Sequence, residues 1–225
     1  MTDGGWEAKV ENPWSTIALR DYEMHMASGE VRQLQALDEI MLGQFYRYPA
    51  KTLMILGVAG GNGLRHIDPG RIETVYGVDL NASFLQECAE RYGTLLEGAF
   101  HPILADLMDP HLTLPHADLL VADLLIEYIG YECFAGVVGN VQPLCLSCVI
   151  QVNPDTGGFV SESPYLHSFD RLEEVHHQIR EEKLTESLRR AGYRPVFRAE
   201  QSLPNGKRFV CRDYRRNSNA PDADR

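Results

Sequence analysis

The stretch "LGVAGGNGL", residues 56–64, places four glycines in nine positions, directly after the apolar run "TLMI" at 52–55. Glycine has no Cβ, so a backbone this rich in glycine can lie unusually close to another group. Three situations would require it: a bound nucleotide phosphate, a bound nucleoside without phosphate, or a tight turn alone. The surrounding residues distinguish them, because each situation needs different partners nearby.

The composition is that of one globular domain. The 225 residues are 44% hydrophobic and 24% charged, with a net charge of −11 at pH 7. Nucleic-acid binders need a basic surface to neutralise phosphates, so we do not expect a nucleic-acid partner. No apolar stretch approaches the roughly 20 residues of a membrane span, and the N-terminus lacks a secretory signal. We therefore expect a cytoplasmic protein without a membrane partner.

Short apolar runs alternate with helical segments through the middle of the chain. Strands are predicted at 52–58, at 73–81, at 99–107, at the start of 117–129 and at 147–153. An amphipathic helix precedes the first strand and stops before Pro49. Alternating strands and helices imply right-handed crossovers, and therefore a parallel sheet.

The C-terminal part departs from this alternation. Residues 170–193 are predicted to be helical, with Thr185 as the cap of an internal restart. Two strands then flank Asn205-Gly206, a dipeptide typical of β-hairpins. Together the elements predict an α/β fold: a Rossmann-like, seven-stranded, mostly parallel sheet with an antiparallel C-terminal β-hairpin and helices on both faces.

No internal repeat and no linker divides the chain. An N-terminal arm and the amphipathic helix (1–50) are expected to pack on the same domain. The main domain is expected at 51–216, and a disordered tail at 217–225.

The five cysteines indicate neither a metal site nor a disulfide framework. Cys145 and Cys148 form a C-x-x-C pair, but no second pair stands at zinc spacing, so buried thiols are expected. No other spacing of His, Cys, Asp and Glu suggests a metal site, and no metal is expected.

The glycine-rich stretch fits neither common phosphate motif. A P-loop would continue with Gly-Lys-Ser/Thr, whereas Gly61 is followed by Asn-Gly-Leu-Arg. A dinucleotide fingerprint read from Gly61 would need a small residue where His66 stands, so that interpretation is weak. A phosphate-free adenosyl ligand instead needs a bare floor and carboxylates for its ribose and adenine. Asp79 and Asp106 end the second and third strands, where ligands bind in such sheets.

These residues resemble the sequence motifs of the class I S-adenosylmethionine-dependent methyltransferases. The matching segments are "ILGVAGGNG" (55–63), "VYGVDLN" (75–81), "LADLMD" (104–109), "ADLLVADLL" (117–125) and "LTESLRRAGY…LPNGKRFV" (184–210). The resemblance implies S-adenosylmethionine as cofactor. It implies as cofactor-binding residues Gly57, Val58, Ala59, Gly60, Gly61, Asp79, Leu80, Asp106, Leu107 and Asp123.

The chain departs from the family pattern at Ile55, where an acidic residue usually stands two positions before the first glycine. That acid supports contacts at the amino-acid end of the cofactor. Ala59, in a position where the family often has glycine, is a smaller departure.

Methyl transfer depends mainly on alignment of the acceptor, so the sequence indicates catalytic residues less clearly than cofactor residues. Candidates for a base are Glu127, after the fourth strand, and His167, in the polar stretch after the fifth. The proposed acceptor-binding residues are Tyr128, Tyr131, Asn153 and Tyr165. A carboxylate beside tyrosines would suit an amine or cationic acceptor.

Two further groups of residues are candidates near the acceptor. His176 and His177 are adjacent on a predicted helix, and a solvated surface position is expected for them. An aromatic and polar group before the amphipathic helix either folds over the cofactor or covers the sheet edge; it consists of Trp14, Tyr22, His25 and Met26.

The resemblance implies a methyltransferase (EC 2.1.1.-) acting on a small-molecule acceptor. Two alternatives stay open at this point: an NAD(P)-dependent oxidoreductase, and a non-catalytic member of the fold that serves as a partner subunit. The oligomeric state and the acceptor atom are not specified by the sequence.

Overall fold

Seven strands form one sheet in the computed structural model, which describes residues 11–96, 98–154 and 158–218. The strands are β1 (Thr52–Leu56), β2 (Thr74–Asp79), β3 (Phe100–Leu104), β4 (Leu119–Asp123), β5 (Cys145–Val152), β6 (Tyr193–Ser202) and β7 (Arg208–Arg216). Their order across the sheet is β3-β2-β1-β4-β5-β7-β6. β7 runs antiparallel to the other six strands, and it pairs with β5 on one side and β6 on the other. The predicted mostly parallel sheet with an antiparallel C-terminal hairpin is confirmed.

Helices cover both faces of this sheet. They are α1 (Leu19–Ala27), α2 (Gln33–Arg47), α3 (Ala82–Tyr92), α4 (Ile126–Val141) and α5 (Glu181–Arg190). Side chains of a strand alternate between faces, so β1 contributes to two apolar layers. Met54 and Leu56 pack in the layer with α4 and α5, whereas Leu53 and Ile55 pack in the layer with α2 and α3. Coverage on both faces explains why β1 is a continuous apolar run.

The sheet has its topological switch point between β1 and β4. β1 pairs with β2 on one side and with β4 on the other. The crevice outside the carboxyl ends of two such strands is where open α/β sheets bind ligands. Gly57 directly follows β1, and Asp123 is the last residue of β4. Gly57 and Asp123, two of the predicted site residues, therefore lie at the place that the topology favours.

The predicted helix at 170–193 is only partly correct. A 3₁₀ helix spans Leu166–Glu174, residues 175–180 are irregular, and α5 begins at Glu181. Two amides of the irregular segment donate to α4, and the first is that of His177, which donates to the carbonyl of Glu127 at 2.6 Å. Farther along, the amide of Arg180 donates to Tyr131 Oη at 2.6 Å.

The interpretation of Thr185 as a helix cap is wrong. Thr185 lies inside α5, it is buried, and its hydroxyl shares a hydrogen bond of 2.9 Å with Tyr214 Oη of β7. Tertiary packing of this hydroxyl, and not a helix start, accounts for a threonine at this position.

α4 begins shortly after the end of β4, with one turn that precedes a backbone break at Gly130. Gly130 has φ 73° and ψ 174°, which separates the turn carrying Glu127 from the rest of the helix. That turn connects the end of β4 with the main body of α4, and it fixes where Glu127 points.

The remaining sequence expectations concern the cysteines, the membrane and the termini. Cys145 and Cys148 are buried free thiols, as predicted. Within the described residues, no helix has both the length and the apolarity that a bilayer crossing needs. Residues 1–10 of the predicted arm and 219–225 of the predicted tail lie outside the described residues.

Gly130→Ala is expected to lower the free energy of unfolding by about 1–3 kcal/mol, because this backbone region is essentially restricted to glycine. The added Cβ would meet no atom closer than His177 Cδ2 at 3.7 Å, so the cost is conformational and not steric. Urea denaturation of the purified variant measures it.

Gly136→Ala in the same helix is the matched control. No atom lies within 4 Å of its added Cβ, so the change should stabilise the protein by about 0.5–1 kcal/mol. Similar effects of the two substitutions would contradict the proposed role of Gly130.

Candidate functional site

The carboxyl ends of the strands open into a single large cleft. It encloses about 1210 Å³ of space between protein atoms, counted with its open mouth. The first turn of α4 forms one wall, and two covering segments, residues 12–26 and 159–176, close over the strand ends.

The loop after β1 forms the floor of the cleft. The amides of Gly57 and Val58 both donate to the carbonyl of Val78, at 2.8 and 3.1 Å, which holds the loop against β2. Gly57 (φ 68°) and Ala59 (φ 46°) line the cleft with a backbone that has little or no side chain. A flat surface of this kind suits close approach by a ligand.

The other predicted residues of this loop do not line the cleft. Val58 is buried in the layer with α2 and α3. A Cβ on Gly60 would collide with Glu23 Oε1 of α1, and one on Gly61 would lie 2.6 Å from Tyr92 Cε2 of α3. These two glycines therefore permit close helix packing, and only part of the glycine-rich stretch is a floor.

Asp79 holds a fixed carboxylate at the end of β2. Its Oδ2 accepts from the amide of Ala59 and its Oδ1 from the amide of Asn81, both at 2.9 Å. Burial raises the pKa of this carboxyl above its ordinary value, against the opposing effect of the backbone donors. Each carboxylate oxygen has capacity for a further hydrogen bond, and Asp79 lines the cleft.

The next strand end supplies the adjacent part of the cleft. Asp106 follows β3, and its Oδ1 accepts from the amide of Met108 at 3.0 Å. Leu80 and Leu107 line the cleft beside the two aspartates. Carboxylates and leucine side chains together form a surface that is apolar with a few fixed acceptors, as small-molecule sites commonly are.

Asp123 ends β4 with one satisfied and one unsatisfied oxygen. Oδ1 accepts from Gln44 Nε2 of α2 at 2.8 Å, whereas Oδ2 is buried and has no hydrogen-bond partner among the described residues. Burial raises the pKa of Asp123 to about 7. The following residue, Leu124, has a positive φ of 54°. Unusual backbone next to an unsatisfied buried carboxylate is typical of functional sites.

Glu127, four residues farther along in the first turn of α4, also has one satisfied and one unsatisfied carboxylate oxygen. Its Oε1 accepts from the amide of Gln151 at 2.8 Å, and its Oε2 is buried without a partner in the described part of the chain. Only 5% of the residue is exposed, and burial raises its pKa to about 7. Burial and the neighbouring Glu127 also raise the pKa of the Tyr128 phenol.

Aromatic side chains of the two covering segments line the same cleft as these carboxylates. Trp14 packs edge-on against Tyr128 with ring centroids 4.9 Å apart, and Phe159 stacks on His176 at 3.9 Å. His25 Nδ1 and Ser163 Oγ lie 2.7 Å apart, which joins α1 to the second segment. The predicted arm therefore covers the cleft. The expectation of a solvated surface is wrong for His176, which lines the cleft and is not on a helix.

Four predicted catalytic or acceptor residues lie outside the cleft. The side chain of His167 is 92% exposed and contacts Asp170. Tyr131 Oη accepts from the amide of Arg180, Asn153 Oδ1 accepts from Gln151 Nε2, and Tyr165 packs in the apolar cluster of the covering segments. The irregular segment after β5 turns these side chains outward or ties them to neighbours. We therefore retain Glu127 and Tyr128 from the predicted acceptor side.

Sequence reasoning missed Gln44 and did not use Gln151 in the site. Gln44 is fully buried and stands among the apolar residues of α2, beside Phe45. A polar residue on an apolar helix face is the signal that would have indicated a buried partner. Among the described residues, no group of three or more His, Cys, Asp or Glu side chains could hold a metal ion.

Solved structures of other proteins have the same fold over most of the length of this chain. Magnesium protoporphyrin IX methyltransferase from Synechocystis PCC 6803, with bound SAM, has a TM-score of 0.62 and 11% identity over 91% of this chain and 93% of that one. Geranyl diphosphate C-methyltransferase from Streptomyces coelicolor A3(2) has a TM-score of 0.62 and 13% identity over 84% and 80%. The chain thus has the fold of the class I S-adenosylmethionine-dependent methyltransferases.

The fold alone does not specify the reaction. The [4+2]-cyclase SpnF is similar at a TM-score of 0.61 and 13% identity, over 81% of this chain and 82% of that one. The sequence matches no protein-family model and no curated protein. The function must therefore be argued from the residues of the cleft.

The raised pKa of Glu127 predicts that stability falls as the pH rises. An unfolded glutamate has a pKa of about 4.3, so between that value and about 7 the folded state keeps a proton that the unfolded state has released. From pH 5 to pH 8 this residue should contribute a loss of about 2–3 kcal/mol. In Glu127→Gln the decline of the unfolding free energy over that interval should be smaller by this amount.

Chemical denaturation at several pH values measures the decline. Glu132→Gln, at an exposed position of the same helix, should keep the profile of the wild type. A profile for Glu127→Gln that is indistinguishable from wild type would show that Glu127 is ionised normally in the folded protein.

Proposed function

We propose that the protein is an S-adenosylmethionine-dependent methyltransferase that acts on a small molecule. The observation that carries the proposal is the convergence of Asp79, Asp106 and Asp123, from three strand ends, on one cleft with a bare floor at Gly57. Binding sites of doubly wound folds lie at this edge. The methyltransferases of the same fold described above include one with bound SAM.

Each part of the cofactor has a suitable partner in the cleft. Asp79 would accept hydrogen bonds from the ribose hydroxyls, and Asp106 would accept one from the exocyclic amine of adenine. Leu80 and Leu107 would cover the adenine faces. The cofactor carries a cationic sulfonium and ammonium, and the unsatisfied Oδ2 of Asp123 is a suitable neighbour for a cation.

Asp123 can also replace the acidic residue that the family usually has at the position of Ile55. Ile55 is 3% exposed and packs in the core, so its position contributes no polar group to the cleft. Asp123 supplies a carboxylate from the neighbouring strand, held by Gln44 from behind. We therefore assign the support of the amino-acid end to Asp123 in place of the usual acid on β1.

The arrangement disfavours the NAD(P)-dependent alternative. A dinucleotide pyrophosphate binds at the N-terminus of the helix after β1. Here β1 is followed by a 3₁₀ helix of only three residues, Leu64–His66. Gly60 and Gly61 face α1 and α3, so their backbone does not form a phosphate cradle.

The residues of the cleft would align the acceptor and exclude water. When bound, the cofactor supplies an electrophilic methyl group. The covering segments, through Trp14 and Phe159, would shield the cleft from solvent, and alignment of the acceptor with the methyl group would lower the barrier to displacement. Glu127, with a pKa of about 7, can hold a proton released by the acceptor.

Asp79→Asn should weaken binding of S-adenosylhomocysteine by about tenfold to a hundredfold, because it removes a charged acceptor of hydrogen bonds. The fold should be retained, since the amide oxygen can still accept from one backbone donor. Isothermal titration calorimetry measures the affinity, and circular dichroism checks the fold.

Asp109→Asn is the matched control, because Asp109 is exposed and does not line the cleft. It should bind S-adenosylhomocysteine like the wild type. Unchanged affinity in Asp79→Asn would remove Asp79 from the site. Binding to wild type without methyl transfer, in a metabolite extract incubated with isotope-labelled cofactor, would instead favour a non-methylating member of the fold.

A further inference from the structure

We propose that the acceptor is an amine with an apolar or aromatic body, and that Glu127 Oε2 binds its nitrogen. This inference rests on the proposed function. It names the class of molecule that would occupy the part of the cleft next to Glu127, beside the cofactor. Three independent features carry it: the geometry of Glu127, the aromatic walls around it, and the charges that line the cleft.

Glu127 is built as a partner for a positively charged or hydrogen-bonding ligand. The amide of Gln151 fixes one oxygen of its carboxylate at 2.8 Å. The other oxygen is buried and unpartnered among the described residues, in a side chain that lines the cleft. A buried carboxylate without a full set of donors costs free energy. A ligand N–H group would remove that cost, so the site favours a nitrogen donor.

Aromatic rings surround the space next to Glu127. Tyr128 packs against Trp14 at 4.9 Å and lies 6.0 Å from the ring of His176. Phe159 is stacked on His176, and Phe169 lines the same side of the cleft. Faces of Trp, Tyr and Phe attract cations and cover flat apolar groups. An ammonium on an aromatic or aliphatic body matches both properties.

The charges around the cleft have one sign. Four carboxylates line it, from Asp79, Asp106, Asp123 and Glu127, whereas no Lys or Arg of the described residues does. The two lining histidines add no positive charge at neutral pH. Burial lowers the pKa of His25 to about 4, and burial also lowers the pKa of His176.

The ammonium of Lys207 acts on the lining residues His25 and His176, but Lys207 does not itself line the cleft. Its Nζ donates to the carbonyl of Phe159 at 2.6 Å, and the residue is only 4% exposed. The ammonium of Lys207 is therefore buried and hydrogen-bonded to the covering segment. Phosphate and carboxylate groups on an acceptor would find no basic partner in the described part of the cleft, so anionic acceptors are disfavoured.

A hydroxyl compound fits less well than an amine. It can donate one hydrogen bond to Glu127 but leaves the carboxylate charge without a counter-charge. An ammonium provides both the donor and the opposite charge, and the attraction between opposite charges is stronger in a buried site than in water. The preference should therefore follow the order amine, alcohol, carboxylate.

Three probes of matched shape test this order: 2-phenylethylamine, 2-phenylethanol and 3-phenylpropionate. Each is titrated calorimetrically into the wild-type protein saturated with S-adenosylhomocysteine, which cannot donate a methyl group. We expect the amine to bind at least about tenfold more tightly than the carboxylate, with the alcohol between them. Equal affinities, or tighter binding of the carboxylate, would overturn the proposal.

Glu127→Gln isolates the carboxylate. The substitution keeps an oxygen that accepts from Gln151 and removes the charge, so amine affinity should fall by about tenfold while alcohol affinity changes less. Glu132→Gln, exposed on the same helix, should leave all three affinities unchanged. Equal amine affinity in wild type and folded Glu127→Gln would also overturn the proposal.

The design separates failure of this inference from failure of the proposed function. If wild type does not bind S-adenosylhomocysteine, the proposed function itself fails. If it binds S-adenosylhomocysteine but not the amine in preference to the carboxylate, the cofactor assignment stands and the amine is rejected. The comparison of probes on the wild type keeps the test decisive even if Glu127→Gln does not fold.

Discussion

The candidate site is organised around two buried carboxylates, those of Asp123 and Glu127, and each is held through only one of its two oxygens. Gln44 donates to the first and the amide of Gln151 to the second, while the opposite oxygens have no partner among the described residues. Desolvation of an ionised carboxylate costs several kcal/mol unless donors or cations replace water. The folded protein therefore carries an electrostatic cost at this place, and a cationic ligand would relieve it.

The rest of the fold positions these groups. β4 and β5 are paired so that Asp123 lies opposite Val149, two residues before Gln151. α2 supplies Gln44 as the partner of Asp123, and the backbone break at Gly130 sets apart the turn of α4 that carries Glu127. The fold itself is shared with proteins of different activities, including a cyclase. The chemistry must therefore come from the side chains at the strand ends and not from the sheet.

The sheet could be predicted because apolar runs, strand length and the Asn205-Gly206 turn are local signals. That Asp79 and Asp106 share one cleft could be predicted because the carboxyl ends of neighbouring parallel strands lie together at one side of the sheet. The role of Gly61 was not predictable, since its neighbour Tyr92 comes from a different helix. The prediction for His167 is wrong because this residue lies on the 3₁₀ helix Leu166–Glu174, where its side chain is exposed. The packing that orients this helix leaves no periodic pattern in the sequence.

The central claim is that a phosphate-free nucleoside lies across Gly57, with its sugar held at the end of β2. The most direct measurement is a crystal structure of the wild-type protein with S-adenosylhomocysteine. We expect both ribose hydroxyls within roughly 3 Å of the Asp79 carboxylate oxygens. A ribose held elsewhere, with the carboxylate of Asp79 turned away from it, would contradict the account.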